Sequence, residues 1–224
     1  MKIGIVIAIA KELKAFLESD YIVEEIKEDY KEVYKTSVNS NTVYAIKSGC
    51  GEIDAACATQ YLITKYDVDV IINFGVTGAI VKDLNVADLF VVKGAVNHDY
   101  DVSPVDPLKP HQYEEFKDIY IPLDEELIKL VKTIKPDIKE CNVASGDRFV
   151  EKIEDKNNLA KLGCEICDME IAAIARTSFL NKKPCVSIKC ISDSLEGSGI
   201  DFMTNVNRSA ALAFEVIQKL LLKL

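Results

Sequence analysis

The feature that most constrains this chain is an alternation of short Val- and Ile-rich runs with stretches of helical periodicity. Residues 2–8, 42–47, 68–74, 89–96, 142–145 and 184–191 read as buried strands. Residues 11–18, 53–65, 124–133, 155–162, 170–178 and 203–223 read as helices. In the last of these, Val206, Ala210, Leu212, Ala213, Val216, Ile217 and Leu220 form one broad apolar stripe. Strands alternating with helices predict an α/β fold, with a mostly parallel or mixed sheet covered on both faces. The charged, polar alternation at 21–37 predicts an exposed hairpin or edge strand. With no linker or repeat visible, residues 1–224 form a single predicted domain. One long irregular stretch, 97–122, carries Pro104, Pro107, Pro110 and Pro122. A loop of that length is either functional, part of an interface or a disordered excursion.

Composition excludes several classes of function. A net charge of −9 and a pI near 4.9 argue against a phosphate-backbone partner, so no nucleic acid is expected. No polybasic stretch favours an anionic membrane, and no uncharged run is long enough to span one. The apolar start MKIGIVIAIA leads straight into KELKAFLES without a small-residue cleavage site, so it reads as a first strand. Seven cysteines without a framework suit reduced thiols in a cytoplasm. Cys164 and Cys167 form a lone CxxC, and His98 and His111 are the only histidines. Four zinc ligands are not at hand, so neither a metal nor an organic cofactor is expected and the thiols read as core packing.

In open α/β sheets, ligands bind beyond the carboxyl ends of the strands. The residues expected there are Glu12, the turn Ser48-Gly49-Cys50-Gly51, Gly75-Val76-Thr77-Gly78, Ser145-Gly146-Asp147-Arg148-Phe149, Asp168-Met169-Glu170 and Ser192-Asp193. Each also has a plain structural reading. Glu12 favours the positive end of a helix dipole, the glycine pairs make tight turns, Ser192-Asp193 caps a helix and Asp147 fits a turn. GxGxxG and GxxxxGK[ST] spacings are both missing, which removes the dinucleotide and P-loop readings. The joint placement of small-residue turns and carboxylates on one edge favours a small-molecule site.

The motifs Ile7-Ala8-Ile9-Ala10-Lys11-Glu12, SGxG at 48–51, NxGxxG at 73–78, HDxD at 98–101, SGDxF at 145–149, DMExA at 168–172 and ISD at 191–193 follow in order. Over nearly its whole length the chain thereby resembles the purine nucleoside phosphorylase superfamily, specifically the 5′-methylthioadenosine/S-adenosylhomocysteine nucleosidases. The resemblance implies a central mixed sheet flanked by helices, and hydrolysis of the N-glycosidic bond of an adenine nucleoside. It implies that Asp193 protonates N7 of the adenine and that Glu12 takes a proton from the attacking water. It further implies that Glu170 binds the ribose hydroxyls, Met169 packs on the sugar, Phe149 stacks on the purine, the Val150 backbone reads its edge and Ser192 positions Asp193. Val76, Thr77 and Gly78 complete the substrate wall, while Ile9, Cys50 and Phe202 face the 5′ substituent. A homodimer is implied too, with the HDxD loop of one copy reaching its neighbour's site, as is a role in methionine salvage.

Phosphorylases of this superfamily carry an Arg and a Ser where this chain has Asn73 and Val76, and the chain has only three arginines, Arg148, Arg176 and Arg208. Phosphate recognition depends on such groups, and Glu12 would repel the anion, so water is the expected nucleophile. A phosphate-dependent phosphorylase and a non-catalytic nucleoside-binding relative are the alternatives. The chain departs from the nucleosidase pattern at Ile7, at Lys189 in place of an arginine, and at 102–107, which lacks an aromatic residue. The 5′ group is left open by these departures: methylthioadenosine, S-adenosylhomocysteine, 5′-deoxyadenosine or another purine nucleoside.

Overall fold

The computed structural model describes residues 1–27 and 31–224. Its elements run β1 (Lys2–Ile7), α1 (Ala10–Leu17), β2 (Glu24–Ile26), β3 (Val33–Val38), β4 (Asn41–Lys47), α2 (Glu52–Tyr66), β5 (Val70–Ala79), β6 (Leu89–Asn97), β7 (Ile121–Pro122), α3 (Glu125–Ile134), β8 (Lys139–Ser145), α4 (Ile153–Ala160), β9 (Ile166–Asp168), α5 (Ile171–Leu180), β10 (Cys185–Asp193) and α6 (Gly199–Leu221). The sheet is mixed, and helices α1, α3 and α6 pack as one group while α2 and α5 pack as another. The expected α/β architecture with a helix-covered mixed sheet is thus present. Among the described residues, no helix is long and apolar enough to cross a membrane.

The organising strand is β5. Its first half lies parallel to β1, from Val70 opposite Ile3 to Asn73 opposite Val6. Its far end pairs antiparallel with β9, Gly78 opposite Cys167. Along the other edge it runs parallel to β10. Since β10 also pairs with β6, β6 with β8 and β8 with β9, the strands β5–β10–β6–β8–β9 close on themselves. The sheet then extends outward from β5 through β1, β4 and β3 to β2. Ile3, Ile5, Ile71, Ile72, Val186 and Ile188 are fully buried, as strands covered on both faces require.

Four expectations need correction. Residues 75–78 are not a turn after a strand but the continuation of β5, and Ser192-Asp193 is the end of β10 rather than a helix cap. The glycines explain the first case. A Cβ on Gly75 would run into Glu12 Oε1, and one on Gly78 would lie 2.9 Å from Asp193 Oδ2. Bare backbone here lets a strand run past two carboxyl groups at contact distance. The second strand region also differs: β2 and β3 do pair antiparallel at the sheet edge, but Val33, Tyr34 and Val38 are buried rather than exposed. The expected hairpin also spans 28–30, which lie outside the described residues. Finally, α6 starts before residue 203, because Ser198 caps it with Asp201 in a capping box.

The 97–122 loop is packed, not an excursion. Tyr100 stacks on Tyr113 at 4.1 Å, Arg176 of α5 lies 3.7 Å above the Tyr113 ring and pairs with both carboxylate oxygens of Glu115, and Phe116 meets Phe179.

Candidate active site

A cavity of about 510 Å³ opens at the carboxyl ends of β1, β5, β8 and β10. Ile9 and Glu12 reach it from the start of α1, Cys50 from the turn before α2, and Val76, Thr77 and Gly78 from β5. Phe149 and Val150 follow β8, Met169 and Glu170 join β9 to α5, Ser192 and Asp193 end β10, and Phe202 comes from α6. Elements distant in sequence therefore converge on one wall. Phe149 stands edge-on to Phe202 with ring centres 5.7 Å apart, forming an aromatic rim that is half exposed at Phe149. A larger, more open groove of about 990 Å³ runs beside α3, with Lys132 paired to Glu140 at 2.6 Å along it.

Glu12 is buried and its carboxylate accepts three backbone N–H groups: Val76 on Oε1 at 2.8 Å, and Ala8 and Ile9 on Oε2 at 3.2 Å each. The bond to Ile9 is half of a capping box, so the dipole reading of Glu12 is correct as far as it goes. The bond to Val76 is different, because it ties the helix to β5 across the cavity wall. Burial raises the proton affinity of Glu12, and the Lys189 charge and the three N–H donors pull it back, leaving the pKa above the usual carboxylate value.

Asp193 is buried at the end of β10, where the strand register shifts between Ile191 and Asp193. Its Oδ1 accepts the Ser192 hydroxyl at 2.9 Å. Its Oδ2 lies 3.7 Å from the ammonium of Lys156, a side chain with no exposed surface. Burial raises the Asp193 pKa; the Ser192 hydroxyl and Lys156 oppose it, and Asp201 adds to it.

Behind Glu12 sits a buried charge cluster. Lys189 Nζ contacts Asp168 Oδ2 at 2.6 Å, with both side chains 2% exposed. Burial alone would strip the Lys189 proton, but Asp168, Glu170 and Glu12 hold it on and raise the pKa. Removing one partner of such a pair costs about 3–5 kcal/mol, so the two act as a unit. Glu170 accepts the Gly51 N–H at 3.1 Å, and its pKa rises to about 8 through burial and the nearby Asp168. Glu52, at the start of α2, accepts the Ser145 hydroxyl at 2.6 Å and the Ala173 N–H at 2.5 Å. It thereby caps α5, the helix that begins beside Glu170.

Burial also pushes the Glu52 pKa up, to about 8 from 4.5. The folded chain therefore holds a proton that the unfolded chain releases between those values. The stability this adds is complete below about pH 4.5 and is lost as pH rises through about 8. Accordingly, the melting temperature of Glu52→Gln should gain on wild type between about pH 5 and pH 8.5. A difference that stays constant in a thermal-unfolding series would contradict the assignment.

Other motif residues serve the frame rather than the cavity. Asp147 Oδ1 accepts the Glu52 N–H at 2.7 Å, and Asp99 Oδ2 accepts the Asp147 N–H at 2.8 Å. His98 is buried beside Asp99, and Asp101 caps the turn at Ser103. Cys164 packs in the core, whereas Cys167 is buried at the cavity wall, and desolvation pushes both thiols up to about 12. Among the described residues, no three His, Cys, Asp or Glu side chains are grouped to hold a metal ion. Glu52 and Lys156 are contributors that sequence reasoning missed. Lys189, noted only as a departure from an arginine, carried a signal of its own: a charge inside the apolar run 184–191 needs a buried partner.

The sequence profile of the phosphorylase superfamily matches residues 2–222. The chain belongs to the phosphorylase superfamily. Within it, this phosphorylase-superfamily chain is 28% identical to a 5′-methylthioadenosine/S-adenosylhomocysteine nucleosidase of Desulfotalea psychrophila over 98% of each chain. It is similar in structure to the nucleosidase of that name from Helicobacter pylori, solved with a pyrrolopyrimidine on a propynylthiomethyl-pyrrolidinol, at a TM-score of 0.94, 28% identity and coverage of 100% and 99% of the two chains. A futalosine hydrolase of Helicobacter pylori strain 26695 gives the same TM-score of 0.94 at 28% identity, covering 100% of this chain and 98% of that one.

Proposed function

We propose that this phosphorylase-superfamily chain is a hydrolase that cleaves the N-glycosidic bond of 5′-methylthioadenosine, S-adenosylhomocysteine or a related adenine nucleoside, releasing adenine and a 5-substituted ribose. The observation that carries this reading is the contrast between two buried carboxyl groups on one cavity. Burial raises the proton affinity of both, but Glu12 meets three N–H donors that favour its ionised form, whereas Asp193 accepts a single hydroxyl, with the Lys156 ammonium at 3.7 Å. Paired carboxyls with opposed environments are how glycosidic cleavage is divided between base and acid.

In this mechanism Asp193 donates its proton to N7, so the base departs as neutral adenine while the sugar gains oxocarbenium character. Glu12 accepts a proton from the water that attacks the anomeric carbon. Glu170 holds the ribose hydroxyls, and Met169 packs against the sugar. Phe149 stacks on the purine, the Val150 backbone reads its edge, and Ser192 fixes the Asp193 rotamer. Val76, Thr77 and Gly78 form the floor, while Ile9, Cys50 and Phe202 border the 5′ group. Water rather than phosphate is favoured because Asn73 is spent on the frame. Its amide donates to Val6 O at 3.0 Å and its Oδ1 accepts the Ser187 hydroxyl at 2.7 Å.

The chain acts on this reading as a homodimer in the cytoplasm, in methionine salvage. Exposed Ile53 on α2 and Val105 on the long loop are apolar surface that a second copy would cover, and the seven cysteines are free thiols, as in a reducing compartment. An assay of adenine release from 5′-methylthioadenosine with and without inorganic phosphate tests the reaction. Equal rates are expected, and dependence on phosphate would overturn hydrolysis.

A further inference from the structure

Lys156 has no exposed surface, yet nothing in the proposed chemistry uses it. Its ammonium donates to the carbonyls of Ser194 at 3.0 Å, Leu195 at 3.1 Å and Gly197 at 3.2 Å. An ammonium has three protons, enough to serve all three acceptors. The carbonyls belong to a turn closed by the Gly197 N–H on Ser194 O, which links Asp193 to α6. A second tie runs parallel, from the Gly199 N–H to Glu151 Oε1 at 3.0 Å. The segment bearing Phe149 and Val150 is thus fastened to the segment bearing Asp193 and Phe202.

Beyond these carbonyls, the Lys156 ammonium stands 3.7 Å from Asp193 Oδ2, close enough for its charge to act on that carboxyl. We propose that Lys156 is a positioning residue for Asp193: it locks the turn behind that carboxyl and, by its charge, sets how readily the carboxyl gives up its proton. The inference rests on Asp193 being the general acid. The other groups facing Asp193 are Ser192 on its own strand, Asp201 from α6 and the Cys167 thiol from β9, while β5 presents only Gly78. Lys156 is the sole cation among these. A buried carboxyl without it would hold its proton to higher pH. The charge therefore keeps Asp193 a strong enough acid to release its proton to N7.

The test is the pH profile of kcat in three proteins: wild type, Lys156→Gln and Lys156→Arg. A general acid must be protonated to act, so its loss forms the alkaline limb. In Lys156→Gln this limb should move to higher pH by about one unit, with a lower plateau. In Lys156→Arg, which keeps the charge, the limb should stay where wild type has it. A limb unmoved in Lys156→Gln, or moved equally in both variants, overturns the proposal, since a merely structural lysine would lower kcat at every pH without shifting it. If Lys156→Gln does not fold, the uncharged Lys156→Met takes its place beside Lys156→Arg: a limb moved to higher pH in Lys156→Met alone supports the role of the charge, and a limb unmoved in both refutes it. Near-normal kcat in Asp193→Asn would instead refute the acid itself, so the two failures are distinct.

Discussion

Replacing Asp193 with Asn should lower kcat for adenine release by about 10²–10⁴-fold, the range that a positioned general acid contributes. The amide keeps the shape of the carboxyl and can still accept the Ser192 hydroxyl, so the end of β10 should hold its register. Lys156 keeps its three carbonyl partners without Asp193, so the turn behind the site has no reason to open. Binding should therefore survive while turnover fails. Stopped-assay kcat, with equilibrium binding of 5′-methylthioadenosine and a thermal melt alongside, checks all three. A variant that keeps near-normal kcat would remove Asp193 from the mechanism.

The second large effect is expected at Glu12. Glu12→Gln removes the base and should lower kcat by about 10²-fold or more, with little change in KM. Its amide also meets N–H donors on both sides, Val76 facing one oxygen position and Ala8 and Ile9 the other. One donor–donor encounter is unavoidable, at a cost of about 1–3 kcal/mol in stability. The pH profile separates the two consequences. Glu12 must be ionised to accept a proton, so activity in wild type should rise with pH through its pKa, which burial sets above the ordinary carboxylate value. That acidic limb should vanish in Glu12→Gln. A variant with unchanged kcat and an intact limb would show that water is activated elsewhere.

Much of this arrangement is legible in the residues alone, for reasons that differ between elements. β1 and β10 stand out because strands covered on both faces are nearly unbroken apolar runs. The long stripe of α6 is legible from its period, although its start is not, since Ser198 and Asp201 cap it ahead of the apolar residues. The ordered series of short motifs carries the superfamily, and the thirteen residues singled out for the site all border one cavity. What escapes is of another kind. The strands β7 and β9 have two and three residues, too few to show any period. The passage of β5 through Gly75 and Gly78 looks like a turn, because the reason for the glycines is the approach of Glu12 and Asp193 from other parts of the chain. Lys156 lies in the polar helix run EDKNNLA, where a lysine normally faces water. Its burial depends on carbonyls some forty residues later in sequence, as the separations of 38 to 41 residues record.

The central claim is that water, activated beside Glu12, replaces adenine at the anomeric carbon while Asp193 protonates the leaving base. Turnover of 5′-methylthioadenosine in ¹⁸O-labelled water with inorganic phosphate present, quenched before the sugar exchanges its anomeric oxygen, reads this directly by mass spectrometry. Free adenine with a 5-substituted ribose carrying one ¹⁸O is the predicted result. A sugar 1-phosphate without solvent label would contradict it.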